Sequence, residues 1–175
     1  AELRAAFVHD GVGYIELPYY EGGDLASFAK QPHATHSTLV QLLHDALSAI
    51  EHIHAHGVVH CDVKPQNVFV ECRRGAEPLT TYVGRLGDFD VALDANARSR
   101  AAATATRTAV AFTLAYAAPE LADDHARATA ATDVWAYALM MLDVLCHRGD
   151  SSHRPGLLEL LQQRQRQQRR SPPSQ

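Results

Sequence analysis

Apolar residues recur along this chain in three different ways, and each predicts a different element. From His36, the positions Leu39, Leu42, Leu43, Ala46, Ile50 and Ile53 return at three- and four-residue intervals. That spacing predicts an amphipathic helix, with Gly57 well suited to end it in a left-handed conformation. The stretch Asp133–Leu145, by contrast, is apolar on nearly every side, which predicts a helix buried inside a domain, with Thr132 as its N-cap candidate. Short apolar runs at 5–9, 13–19, 58–59 and 68–70 are broken by polar turns and predict strands. Asp10-Gly11 between the first two tolerates positive φ and predicts a tight hairpin.

The remaining segments are less periodic. Glu21-Gly22-Gly23 ends the first hairpin, and Asp24 is placed to cap a short helix carrying Leu25 and Phe28. Residues 71–84 read as an irregular connection. Residues 91–111, rich in Ala, Arg, Ser and Thr, read as a mobile loop with accessible hydroxyls. After Pro155 a short amphipathic run decays into a basic, Gln-rich tail at 163–175 that is expected to be disordered. The fold class predicted is mainly α (α+β), with helices carrying the core and short β-hairpins beside them.

At 175 residues the chain is long enough to bury the core of one domain. Its net charge of −4 provides no general field for nucleic acid or an anionic membrane, so neither is expected as a partner. Cys61, Cys72 and Cys146 are odd in number and lack paired spacing, which favours reduced thiols and an intracellular, cytoplasmic location. No apolar run approaches the roughly 18 residues of a membrane span, and the first residues lack the regions of a signal peptide.

Chemistry concentrates in Val59–Asn67 (VHCDVKPQN), in Asp88-Phe89-Asp90 and in Ala118-Pro119-Glu120. Taken singly, an Asp five residues before an Asn is an ordinary turn-capping pair. The order of Asp62, Asn67, Asp88, Glu120 and Asp133 is more specific. Together these segments resemble the protein kinase family, with its HRDxKPxN catalytic loop, DFG metal motif and APE motif.

The resemblance implies a kinase-like large lobe built on the family's αE and αF core helices. The hairpin at 1–20 would correspond to the fourth and fifth small-lobe strands and the hinge. Residues 21–162 then form a shortened large lobe, making 1–162 a partial kinase domain. The implied activity is transfer of the ATP γ-phosphate to protein Ser/Thr hydroxyls, with ATP and Mg2+ as cofactors and Ser/Thr-containing proteins as substrates. Asp62 takes the position of the catalytic base and Lys64 that of the γ-phosphate contact. Asn67 and Asp88 take those of the metal ligands, and Thr113 that of the Ser/Thr-specific residue bonded to base and lysine. In YIELPYYEGGDL, Leu17 aligns with the gatekeeper, Pro18 and Tyr20 with the adenine-pairing hinge, Asp24 with the ribose contact, and Phe69 with the adenine floor.

Several positions depart from the family pattern. Lys30 and Lys64 are the two lysines and both follow the hinge, so neither matches the small-lobe lysine. Cys61 replaces the Arg of HRD, Asp90 the Gly of DFG, and Phe112 the Gly before Thr113. Arg154-Pro155 resembles the Arg-Pro ahead of the family's last helix and predicts an ion pair with Glu120. An alternative to catalysis is a pseudokinase-like interaction module that binds a partner kinase. Small-molecule phosphotransferases share a similar His-x-Asp loop but not the APE and DVW segments. His52 and His56, one helical turn apart, are a candidate zinc pair without an obvious full ligand set.

Overall fold

The computed structural model describes residues 3–75, 80–94, 113–122 and 127–149. Its first element is a hairpin of β1 (Ala5–His9) and β2 (Val12–Glu16), antiparallel, with Ala5 opposite Glu16 and His9 opposite Val12. Asp10 and Gly11 both take positive φ at the turn. The second strand stops at Glu16, short of the expected residue 19, because the Pro18 imide cannot donate to a ladder. Helix α1 (Leu25–Phe28) follows, capped by Asp24, whose carboxylate accepts the Ser27 N–H at 2.9 Å.

Helix α2 (His36–Ala55) buries the predicted stripe of Leu39, Leu42, Leu43, Ala46 and Ile50. Gly57 lies just past its end with φ 74°. Helix α3 (Ala130–His147) begins two residues before the expected cap at Thr132. The N-cap is Thr129, and Thr132 sits at N3, where its hydroxyl closes a capping box by accepting the Thr129 N–H at 3.2 Å. Tyr137 donates its hydroxyl to the Leu43 carbonyl at 3.1 Å, linking α3 to α2. Met140 and Val144 of α3 join Leu42, Ile50, Val68 and Val70 in one buried cluster.

Residues 71–84 correct the expectation of an irregular connection. Strand β4 (Val68–Arg74) pairs antiparallel with β5 (Thr80–Leu86), Val68 opposite Leu86 and Arg74 opposite Thr80. Val68 and Val70 face the core, while Phe69, Glu71 and Arg73 occupy the other face. The alternation is masked in the sequence because its outer positions are charged. Gly84 permits the close docking of β5 on α2: an added Cβ would stand 2.8 Å from the Leu42 carbonyl oxygen. Asp45 reinforces that contact by accepting the Gly84 N–H at 2.9 Å.

Between the helices lies a third small pairing, β3 (Val58–Val59) with β6 (Leu93–Asp94). Most of the 91–111 loop, the helix expected after Pro155, the 163–175 tail and the Glu120–Arg154 pair lie outside the described residues. Among the described residues no helix is long and apolar enough to cross a membrane.

Candidate active site

The polar turn after β3 is fixed from a distance. Asp133, 1% exposed near the start of α3, accepts the His60 N–H at 2.8 Å through Oδ2 and the Cys61 N–H at 2.9 Å through Oδ1. His54 Nε2 adds a third bond to Oδ2 at 2.8 Å. Two backbone donors on one carboxylate account for an unusual conformation, since Cys61 holds φ 68° without being glycine. A left-handed non-glycine residue costs roughly 1–2 kcal/mol, which these charge-assisted bonds offset.

His60 holds the next link. Its Nδ1 accepts the Asp62 N–H at 3.3 Å, so the proton resides on Nε2, which donates to the Gly87 carbonyl at 3.0 Å. The side chain is fully buried, and that burial lowers its pKa against the opposing pull of the Gly87 carbonyl and of Asp133, Asp62 and Asp88. Sequence reasoning missed this role. The signal available was a lone His placed between the apolar pair Val58-Val59 and the polar turn.

Beyond it, three of the predicted residues converge on the carboxylate of a fourth, Asp62. Asp62 Oδ2 accepts from Lys64 Nζ at 2.5 Å and from Asn67 Nδ2 at 3.0 Å. Oδ1 accepts the Thr113 hydroxyl at 2.9 Å and the Thr113 N–H at 3.3 Å. Lys64 also donates to Thr113 Oγ1 at 3.0 Å, which closes the ring of contacts. Burial pushes the Asp62 pKa up, but the bonds from Lys64, Thr113 and Asn67 and the Lys64 charge together bring it below the ordinary carboxylate value. It is therefore ionised at neutral pH.

Asn67 ends a 3-10 turn, Pro65–Asn67, and spends its amide N–H groups on the Asp62 carbonyl (2.8 Å) and carboxylate. Its carbonyl accepts the Gly87 N–H at 2.9 Å, which brings the Asp88 segment alongside. Asp88 is exposed, with φ 63°, whereas Asp90 does not take a positive φ. The Asn67 amide and the Asp88 carboxylate could both offer oxygen donors. Such a pair suits Mg2+, which ordinarily completes its octahedron with phosphate and water. His52 and His56 have rings 4.4 Å apart, with His56 Nδ1 bonded to the His52 carbonyl. Among the described residues no group of three or more His, Cys, Asp or Glu is arranged to hold a metal.

The predicted nucleotide residues lie along the adjoining face. Phe69, the second residue of β4, follows Asn67 by two positions, its ring stacked on Tyr20 at 5.7 Å and 13°. An isolated bridge joins the Asp24 and Phe69 backbones, and Gly22 donates to the Val70 carbonyl at 3.1 Å. The segment 18–20 is thereby drawn over the β4–β5 hairpin. Leu17 is largely exposed, and Pro18 is partly buried.

On the other side, Tyr116 donates to the buried Asp143 of α3 at 2.8 Å, and its N–H bonds to the Thr113 carbonyl. This support for Thr113 also escaped the sequence reading, since Asp143 falls in an otherwise apolar helix.

A buried Asp thus orders the polar turn, and a second carboxylate is held by Lys, Asn and Thr. In comparison with known proteins, residues 2–171 match the protein kinase domain. Serine/threonine-protein kinase ppk16 of Schizosaccharomyces pombe is 29% identical over 136 residues, covering 77% of this chain and 18% of that protein. L-type lectin-domain containing receptor kinase V.5 of Arabidopsis thaliana is 32% identical over 142 residues, covering 77% and 20%. Ribosomal protein S6 kinase alpha-2 of Homo sapiens is 26% identical over 145 residues, covering 82% and 18%. The chain spans about a fifth of the length of these curated relatives. It belongs to the protein kinase family, of the eukaryotic Ser/Thr type.

Proposed function

We propose that this chain acts as the large lobe of a protein kinase that transfers the ATP γ-phosphate to Ser and Thr hydroxyls of proteins. One observation carries the reading: Asp62, a part-buried carboxylate, is aimed by Lys64, Asn67 and Thr113. In this reading α2 and α3 are the family's αE and αF helices. Residues 1–20 serve as small-lobe hairpin and hinge, 21–162 as large lobe, and 163–175 as a tail.

Asp62 orients the substrate hydroxyl and takes its proton, and Thr113 holds the carboxylate in place. Both Asp62 oxygens are occupied by donors. A hydroxyl therefore needs a lone pair released, and the Lys64 bond is the one to release, because its ammonium serves the charge on the transferring phosphoryl group. Asn67 Oδ1 and Asp88 would hold Mg2+, whose charge neutralises phosphate when bound. The Pro18 carbonyl and Tyr20 N–H are assigned to the adenine edge, Leu17 and Phe69 to its apolar walls, and Asp24 to the ribose. An intracellular location belongs to the same reading, supported by the free thiols of Cys61, Cys72 and Cys146.

Radiolabel transfer from magnesium-ATP to a generic basic protein, by a version of the protein with a complete small lobe, tests the assignment. Asp62→Ala and Asp88→Ala are each expected to cost about 10²–10³-fold in rate without loss of the folded circular-dichroism signal. Wild-type rates in Asp62→Ala would overturn it. Nucleotide binding with no transfer by the wild type would move the reading to a non-catalytic interaction module.

Cys61 predicts the regulation. It offers no cation to a phosphorylated loop, and burial, followed by the Asp133 charge, pushes its thiol up to about 12. Phosphatase treatment is expected to leave the rate nearly unchanged. A large drop would require another cation in its place.

A further inference from the structure

A cavity of about 470 Å3 lies under the 18–20 segment, on the face of β4 that runs outward from Phe69. Three guanidinium groups line it, from Arg4, Arg73 and Arg85, against the single carboxylate of Glu71. The concentration of positive charge is notable in a chain of net charge −4.

Glu71 organises the cluster without exhausting it. It accepts from Arg73 Nε at 3.0 Å and Nη2 at 3.3 Å, and from Arg85 Nε at 2.8 Å, with Arg85 Nη2 at 2.7 Å. Bonds from Arg73 and Arg85 hold the Glu71 pKa below the ordinary carboxylate value, so the clamp is ionised. Each guanidinium carries five N–H donors in a rigid fork, and these bonds leave the Nη1 group of both arginines for a further acceptor. Among the described residues the Arg4 guanidinium, presented from the residue just ahead of β1, has no ion-pair partner. Tyr19, 88% exposed, adds an aromatic rim.

We propose that this cavity docks an acidic peptide segment of a partner protein, its Asp and Glu carboxylates taking the free donors of Arg4, Arg73 and Arg85. Bidentate guanidinium–carboxylate pairing fits the geometry of these groups. A nucleic acid fits less well, because it needs a basic field extended along several phosphates, whereas here the positive charge is confined to one small cavity.

The test is fluorescence anisotropy of a dye-labelled Glu- and Asp-rich peptide on the purified protein without ATP, with a Gln- and Asn-substituted peptide as control. Phosphotransfer plays no part in the readout, so failure here is distinguishable from failure of the kinase assignment. Saturable binding of the acidic peptide alone is expected, falling with added salt. The double variant R73E/R85E is expected to weaken it about tenfold or more. R4E, which leaves the β4–β5 ladder untouched, is expected to weaken it less but measurably, and decides the matter if the double variant does not fold. Equal binding of the two peptides, unchanged binding by R4E and R85Q, or no saturable binding at low salt would each overturn the proposal. So would a single-stranded oligonucleotide that binds more tightly and is lost in the same variants.

Discussion

The turn at residues 60–67 and the hairpin at residues 5–16 are both short polar reversals next to apolar runs, yet they are held in opposite ways. The first is tied by side chains 73 and 51 residues away in sequence, from Asp133 and Thr113. The second is tied to itself, by five residue pairs and a Phe7–Tyr14 ring stack at 5.2 Å, with Val8 74% and Ile15 67% exposed. A two-stranded hairpin of this kind is marginal alone. Chemistry that depends on positions good to fractions of an ångström therefore belongs with the long-range, buried bonds and not with the hairpin.

The strongest way to break this comparison is to remove the anchor of the first region. Asp133→Ala deletes the acceptor for His60, Cys61 and His54 and leaves the buried His60 N–H and the part-buried Cys61 N–H without that partner. A loss of about 3–5 kcal/mol is expected by urea denaturation, as for other broken buried charge networks. A change under about 1 kcal/mol would mean that the turn is held by its own local bonds.

A smaller contrast sharpens it. Met140 is fully buried in α3, and Met140→Ala is expected to cost about 2–5 kcal/mol. Ile15→Ala in the hairpin is expected to stay within about 0.5 kcal/mol, because its side chain already meets solvent. Equal losses in the two variants would show that the hairpin packs against something in solution.

Sequence periodicity revealed the helices because each buries one face or all faces: the stripe of α2 and the apolar run of α3 are visible without any tertiary knowledge. The candidates Asp62, Lys64, Asn67 and Asp88 came instead from the resemblance of their motifs, and of the order of those motifs, to the protein kinase family. The β4–β5 hairpin stayed hidden because its outward positions, Glu71, Arg73 and Arg85, are charges that neutralise one another only once the strands pair. The same holds for Tyr116 and Asp143, 27 residues apart, which make sense only when α3 is laid beside the 113–118 segment. Thr132 looked like a cap because a capping box places a Thr at each end, and sequence alone does not say which is the N-cap.

The finest test of the buried region is a single proton. His60 is neutral in the fold, with Nδ1 accepting from Asp62 N–H and Nε2 donating to the Gly87 carbonyl, so a second proton on Nδ1 would break the link to Asp62. Burial lowers its folded pKa below 6.5 despite the opposing charges of Asp133, Asp62 and Asp88. The unfolded chain therefore binds this proton before the folded one does. Stability from the neutral ring is fully present above 6.5 and is lost as the pH falls from that value through the folded pKa. Denaturation midpoints measured on the acid side of neutrality should decline in the wild type. They should decline less steeply in His60→Gln, which keeps a donor and an acceptor but does not titrate. One ring in a chain with 11 histidines makes this the smallest effect of the three, so the variant difference is the quantity to read. Identical slopes would mean that His60 takes up its proton as readily in the fold as in the unfolded chain, and that the bond to Asp62 does not depend on its neutral form.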